Sequence, residues 1–136
     1  MAIELVVNDD SIDLTFTGFD RFLALSKGMH LPINEITDAR VATVVEMRKD
    51  LGWRVGGGYW PGRMASGHFT WKGRQRYRQL WSVYREGEVL VIDTTRKNPA
   101  RIVLQHPYRH DLAWLIAERI PPRPTTVANE NEQPAE

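Results

Sequence analysis

Gly67-His68-Phe69-Thr70-Trp71, Arg78-Gln79-Leu80-Trp81-Ser82-Val83-Tyr84, Glu88-Val89-Leu90-Val91-Ile92-Asp93 and Arg101-Ile102-Val103-Leu104-Gln105 follow one another in the second half of the chain. Each run is short and rich in β-branched or aromatic residues. Gly, Pro, Asn and charged clusters separate them, which is how strands are punctuated. Next comes Tyr108 to Ile120, where Leu112, Leu115, Ile116 and Ile120 recur at helical spacing. Asp111 near its start and Arg119 near its end complement the helix dipole, and Pro121-Pro122 stops it. A meander of strands closed by one amphipathic helix predicts a small, mainly β domain. Its expected form is a β-barrel open at one end and plugged by the helix, with Leu115 and Ile116 in the core.

Working outward, Ile3 to Val7 is short and apolar and ends at the turn Asn8-Asp9-Asp10. Ser11-Ile12-Asp13-Leu14-Thr15-Phe16-Thr17 alternates, with Ile12, Leu14 and Phe16 on one face, so the two segments read as a hairpin. Phe19 to Leu25, bracketed by Gly18 and Gly28, has helical spacing and is expected to form a short helix. Pro32 biases Leu31 toward extended backbone and opens an extended segment. Ile36 to Val45 reads as a strand, with a helix over Arg40 to Met47 as the alternative.

Residues 51–66 carry five glycines, one proline and the large aromatics Trp53, Tyr59 and Trp60. They read as a long connection, and long connections inside small domains are often functional. The plain alternative is that the three aromatics fold back onto the barrel mouth as core. Pro122 to Glu136 is rich in Pro, Glu, Asn and Thr and cannot offset its ordering entropy by burial. The expected organisation is one domain over 1–120 and a flexible tail over 121–136.

With 136 residues the chain suits one domain with a core that needs neither metal nor disulfide. It has no cysteine, which excludes disulfides, thiolate metal sites and cysteine nucleophiles. Net charge is +1, so no global field draws in nucleic acid and any electrostatic function must be local. No apolar run reaches the ~18–20 residues that span a bilayer. Acids rather than Lys or Arg occupy the N-terminal stretch, unlike a secretory signal. A cytoplasmic protein is the expectation.

Several segments together carry a resemblance. They are Leu31-Pro32-Ile33-Asn34-Glu35-Ile36, Gly52-Trp53-Arg54, Pro61-Gly62-Arg63, Gly67-His68-Phe69, Val89-Leu90-Val91-Ile92-Asp93-Thr94 and Arg101-Ile102-Val103-Leu104-Gln105, ahead of a terminal helix. Over residues 3–120 the chain resembles bacterial pleckstrin-homology-like (PH-like) domains. The resemblance implies two near-orthogonal antiparallel sheets, about seven strands in all, with a C-terminal helix plugging one end. It does not imply an activity; domains of this shape bind proteins, peptides or phosphoinositides through different loops. The phosphoinositide signature of basic residues in the first hairpin loop is missing. That loop is Asn8-Asp9-Asp10, which repels phosphate.

The strongest charge feature is Lys72-Gly73-Arg74-Gln75-Arg76-Tyr77-Arg78, inside a stretch from Arg63 to Arg85 that holds no acid. On an extended backbone Arg74, Arg76 and Arg78 point to one side and could clamp phosphates or carboxylates. With Trp71, Tyr77 and Trp81 interleaved, single-stranded nucleic acid is a further candidate. The near-neutral net charge argues against it. The plain alternative is a solvated hairpin that keeps a sheet edge soluble. His106 and His110 have the i,i+4 spacing of a metal pair, but Pro107 sits between them and no further ligand is specified, so no metal is expected. Gly56-Gly57-Gly58 lacks the Gly-Lys-Ser/Thr ending of a phosphate loop.

The sequence thus points to a non-enzymatic binding module without cofactor, recognising a protein partner or an anionic membrane surface. Its candidate binding residues are Trp53, Tyr59, Trp60, Arg63, Lys72, Arg74, Arg76 and Arg78. The alternative is a small-ligand or lipid carrier with the aromatic loop as a lid over the barrel mouth.

Overall fold

A computed structural model describes residues 2–17, 28–60 and 64–120; for 2–3, 16–17, 28, 53–60, 64–66 and 75 the description is of the backbone. The expected helix over Phe19 to Leu25, the residue Arg63 and the expected tail over 121–136 lie outside the described residues.

The alternation of Ile12 and Leu14 builds the first sheet. Strand β1 (Ala2–Val7) and strand β2 (Ser11–Thr17) form the expected antiparallel hairpin, from Ala2↔Thr17 to Val7↔Ile12. Its turn is held by Asn8, whose backbone N–H donates to the Ser11 carbonyl at 2.8 Å and whose side-chain amide donates to the Asp13 carboxylate at 2.9 Å. Strand β3 (Gly28–Pro32) pairs along the other side of β2. Pro32 has no N–H to donate and the strand ends there. The segment Leu31 to Ile36, expected to run extended, instead breaks at a 3-10 turn over Ile33–Glu35.

The second sheet has six strands: β4 (Ile36–Thr43), β5 (Leu51–Trp60), β6 (Met64–Trp71), β7 (Arg74–Val83), β8 (Glu88–Thr94) and β9 (Arg101–Leu104). Their order is β4-β8-β9-β7-β6-β5. A four-residue helix α1 (Val44–Met47) follows β4, and helix α2 (Arg109–Arg119) closes the described chain. The mainly β fold in two sheets with a C-terminal helix agrees with the sequence pattern.

Four expectations need correction. The strands are not a simple meander: β9 slots between β7 and β8 and runs parallel to β7, from Gln79↔Arg101 to Ser82↔Leu104. All four residues of β9 are buried, and so apolar a strand is satisfied only where neighbours flank it and both faces are covered. Nor is there a closed barrel: the described ladders end at β4 and β5 in one sheet and at β1 and β3 in the other. The described residues form nine strands rather than about seven. Finally, residues 51–60 are a strand and not a loop or lid, paired with β6 from Leu51↔Trp71 to Trp60↔Met64. Glycine weakens a strand but does not forbid one, and the backbone ladder to β6 supplies what the side chains do not.

The six-stranded sheet buries both faces. Leu80, Leu90, Ile92, Ile102 and Leu104 face Ile12, Leu14 and Leu31 of the small sheet together with Leu112, Ala113 and Ile116 of α2. On the other face Trp81, Val83, Val89, Val91 and Val103 pack with Phe69, Val44 and Met47. Gly52 of β5 lies so close to β6 that a Cβ there would sit 2.9 Å from the Thr70 carbonyl oxygen.

Two outcomes follow for stability. Ile116 is fully buried whereas Leu115, expected in the core, is half-buried. Ile116→Ala should cost about 2–5 kcal/mol in denaturant melts, and Leu115→Ala clearly less. Gly52→Ala should cost about 1–3 kcal/mol in the same measurement, because the added methyl meets the Thr70 backbone carbonyl as well as the Thr70 hydroxyl, and the backbone cannot turn aside as a side chain can.

Candidate binding site

The basic hairpin exists as β6 and β7, joined by the two-residue turn Lys72-Gly73. Gly73 has φ +81°, a left-handed backbone that suits glycine. The ladder is irregular at this end. Thr70 faces Arg78, but the next pair is Trp71↔Arg74, so Gln75, Arg76 and Tyr77 have no opposite residue. The simple alternation expected to set Arg74, Arg76 and Arg78 on one side does not run through this bulge. Arg78 keeps strand register two residues before Leu80, and its guanidinium donates to the Tyr77 carbonyl at 3.3 Å.

Arg74 is held differently. Its guanidinium carbon sits 4.0 Å from the centroid of the Tyr77 ring and 4.7 Å from that of Trp71. Such stacking attracts the cation to the ring faces and fixes its plane. Trp71 also carries Arg101, at 4.3 Å on the same measure. Trp71, Arg74, Tyr77, Asp93, Thr94, Ala100, Arg101 and Thr37 line a cleft of about 260 Å³ at this end of the sheet.

The floor of the cleft is a chain of alternating charges. Arg101, at the start of β9, has a side chain only 9% exposed. It donates to the Asp93 carboxylate at 2.7 Å and to the Asp50 carboxylate at 2.9 Å. Arg40 in turn donates to Asp93 and to Asp38, each at 2.8 Å. Burial opposes the Arg40 charge, but the two carboxylates outweigh it and raise its pKa. The Asp50 carbonyl accepts the Lys72 backbone N–H and the Gln79 side-chain amide, both at 2.8 Å. Gln79 completes the relay by accepting from the Trp81 indole N–H at 3.0 Å. These bonds satisfy polar groups that burial would otherwise penalise, and they tie the base of the β6–β7 hairpin to the sheet.

Among the described residues six arginines are ion-paired: Arg40, Arg48, Arg96, Arg101, Arg109 and Arg119. Lys72, Arg74 and Arg76 have no carboxylate partner among the described residues, and all three are exposed. Of the residues expected to bind, the structure brings Lys72 and Arg74 together at the hairpin turn, with Arg76 in the adjoining bulge. Trp53, Tyr59 and Trp60 belong to strand β5, beyond β6, and their side chains lie outside the described residues, as does Arg63.

Asp50, Asp93 and Arg101 were missed from the site. Opposite charges at the end of one apolar run, Asp93, and the start of the next, Arg101, were the signal that could have found two of them. Asp50 carried no such mark. The His106–His110 pair is split between other partners: His106 Nδ1 accepts from the Tyr108 backbone N–H at 3.1 Å, and His110 Nε2 lies 3.1 Å from Glu88. Among the described residues no three His, Cys, Asp or Glu are grouped as a metal site.

Comparison with protein-family models, with curated proteins and with solved structures finds no match to this chain.

Arg101 compensates two carboxylates from a buried position. Arg101→Ala should therefore cost about 3–5 kcal/mol in denaturant melts, the range for removing one partner of a buried pair. Arg74→Ala, at an exposed and unpaired position, should cost less than about 1 kcal/mol in the same experiment.

Proposed function

We propose that this chain is a non-enzymatic PH-like binding module that recognises an acidic protein partner or anionic surface through the β6–β7 hairpin turn. One observation carries the reading: Arg74 is pre-oriented on Trp71 and Tyr77, and neither it nor the adjoining Lys72 and Arg76 has a carboxylate partner among the described residues. A stacked guanidinium loses little freedom on binding, and its fork matches carboxylate or phosphate oxygens. The six ion-paired arginines named above have carboxylates within the chain, whereas the cations of the turn have none among the described residues. The mainly β architecture with helix α2 packed on the sheet supports the PH-like assignment. The parallel β7/β9 pair and the open sheet edges depart from that plan. No helix of the described residues is long and apolar enough to cross a membrane, so a membrane contact of the kind proposed would be peripheral.

The test replaces Lys72, Arg74 and Arg76 together with Gln. Binding of the full chain to a glutamate-rich peptide and to phosphatidylserine vesicles is measured at low and raised salt. Wild type should bind at least one probe, weakening as salt rises, and the triple variant should bind it at least tenfold more weakly with an unchanged thermal midpoint. Failure of wild type to bind either probe at low salt would reduce the cations to a solubility device. Undiminished binding by the variant would place recognition elsewhere.

A further inference from the structure

A second cleft, of about 620 Å³, opens at the opposite end of the large sheet, between the β7–β8 turn and the connection from β9 to α2. Its size falls in the ~300–1,000 Å³ range of small-molecule sites. The turn and the connection are fastened to each other by Gln105. Its side-chain oxygen accepts from the backbone N–H of Tyr84 at 2.7 Å and of Arg85 at 3.2 Å, and its amide nitrogen donates to the Arg85 carbonyl at 2.5 Å. The backbone from which the Arg85 side chain springs is thus fixed on both sides of the peptide unit.

The charges of the cleft are unevenly spent. Glu86 pairs with Arg48 at 2.7 Å, and Glu88 with Arg109 at 3.0 Å and His110 at 3.1 Å. Arg109 and His110 hold the Glu88 carboxyl below the usual carboxylate range, so it stays ionised and occupied. Arg85 has no carboxylate partner among the described residues, which leaves one uncompensated cation in the wall. The second free donor is His106. Its Nδ1 accepts the Tyr108 N–H, so the ring proton of the neutral imidazole resides on Nε2. Burial holds its pKa below the usual imidazole range, keeping it neutral at pH 7. Pro107 and Tyr84 are also among the residues that line the cleft.

We infer that this cleft is a binding site for a small organic monocarboxylate with an apolar body. The Arg85 fork pairs the carboxylate, the His106 Nε2–H donates to it, and the body lies along Pro107 and Tyr84. Planar, bidentate geometry suits a carboxylate. The carboxylates of Glu86 and Glu88 in the same wall oppose a doubly charged phosphate ester. The site is separate from the β6–β7 turn and does not depend on what binds there.

Benzoate is titrated into the full-length protein while amide chemical shifts are followed, with benzamide and phenyl phosphate as comparators. Benzoate should shift the amides of Gly87 and Gln105 saturably, benzamide should not, and phenyl phosphate should bind more weakly. Arg85→Gln should weaken benzoate at least tenfold with an unchanged thermal midpoint, and Arg74→Gln should leave it unchanged. The inference is overturned by absence of a saturable shift with benzoate and hexanoate alike. Equal affinity in Arg85→Gln, or tighter binding of phenyl phosphate, overturns it too.

Discussion

Strand β9 is buried from end to end, and the rest of the molecule is arranged to make that tolerable. Its Ile102 and Leu104 enter one core and Val103 enters the other. Burial of four consecutive residues requires a paired strand on each side and a cover on each face. β7 and β8 supply the pairing, α2 with the small sheet covers one face, and Phe69, Val44 and Met47 pack on the other. Each fully buried aliphatic side chain contributes roughly 1.5–3 kcal/mol, so this strand and its neighbours account for much of what opposes chain entropy.

Arg101 is the cost of that placement. A guanidinium at the start of a buried strand cannot remain uncompensated, because desolvating a lone charge costs several kcal/mol. Asp93 and Asp50 answer it, Arg40 answers Asp93, and Trp71 receives its flat face. The same network holds Trp71 and the Lys72 backbone in place. Trp71 in turn positions Arg74, so an exposed cation of the proposed site is oriented by a structural requirement of the interior. The two clefts sit at opposite ends of the β7/β9 pair. One holds Arg74, stacked on Trp71 and Tyr77, and the other Arg85, anchored through its backbone; neither has a carboxylate partner among the described residues.

Strand runs with local alternation were legible because side chains alone report them: β1, β2, β4, β8 and β9 stand close to where the pattern placed them. β5 was not legible. Gly56-Gly57-Gly58 has no side chain with which to signal a face, and its pairing is made entirely by backbone groups that every sequence shares. Leu115 was misplaced for a related reason. Helical spacing marks an apolar stripe, but whether its rim is buried depends on how wide a surface α2 meets. At the candidate site, the density of cations around Lys72 and Arg74 was plain in the chain, and the bulge over residues 75–77 that breaks their alternation was not.

By itself, then, the sequence determined a mainly β chain with a C-terminal helix and a stretch dense in basic residues and free of acids. Those features follow from periodicity, turn residues and charge, which act between near neighbours. The tertiary structure decided the insertion of β9 beside β7, the open two-sheet arrangement and the division of arginines into paired and unpaired. Each depends on contacts between residues far apart in the chain. Asp50 meets Arg101 and Arg40 meets Asp93 because burial forces distant charges to find partners, and no local pattern records which partner that is.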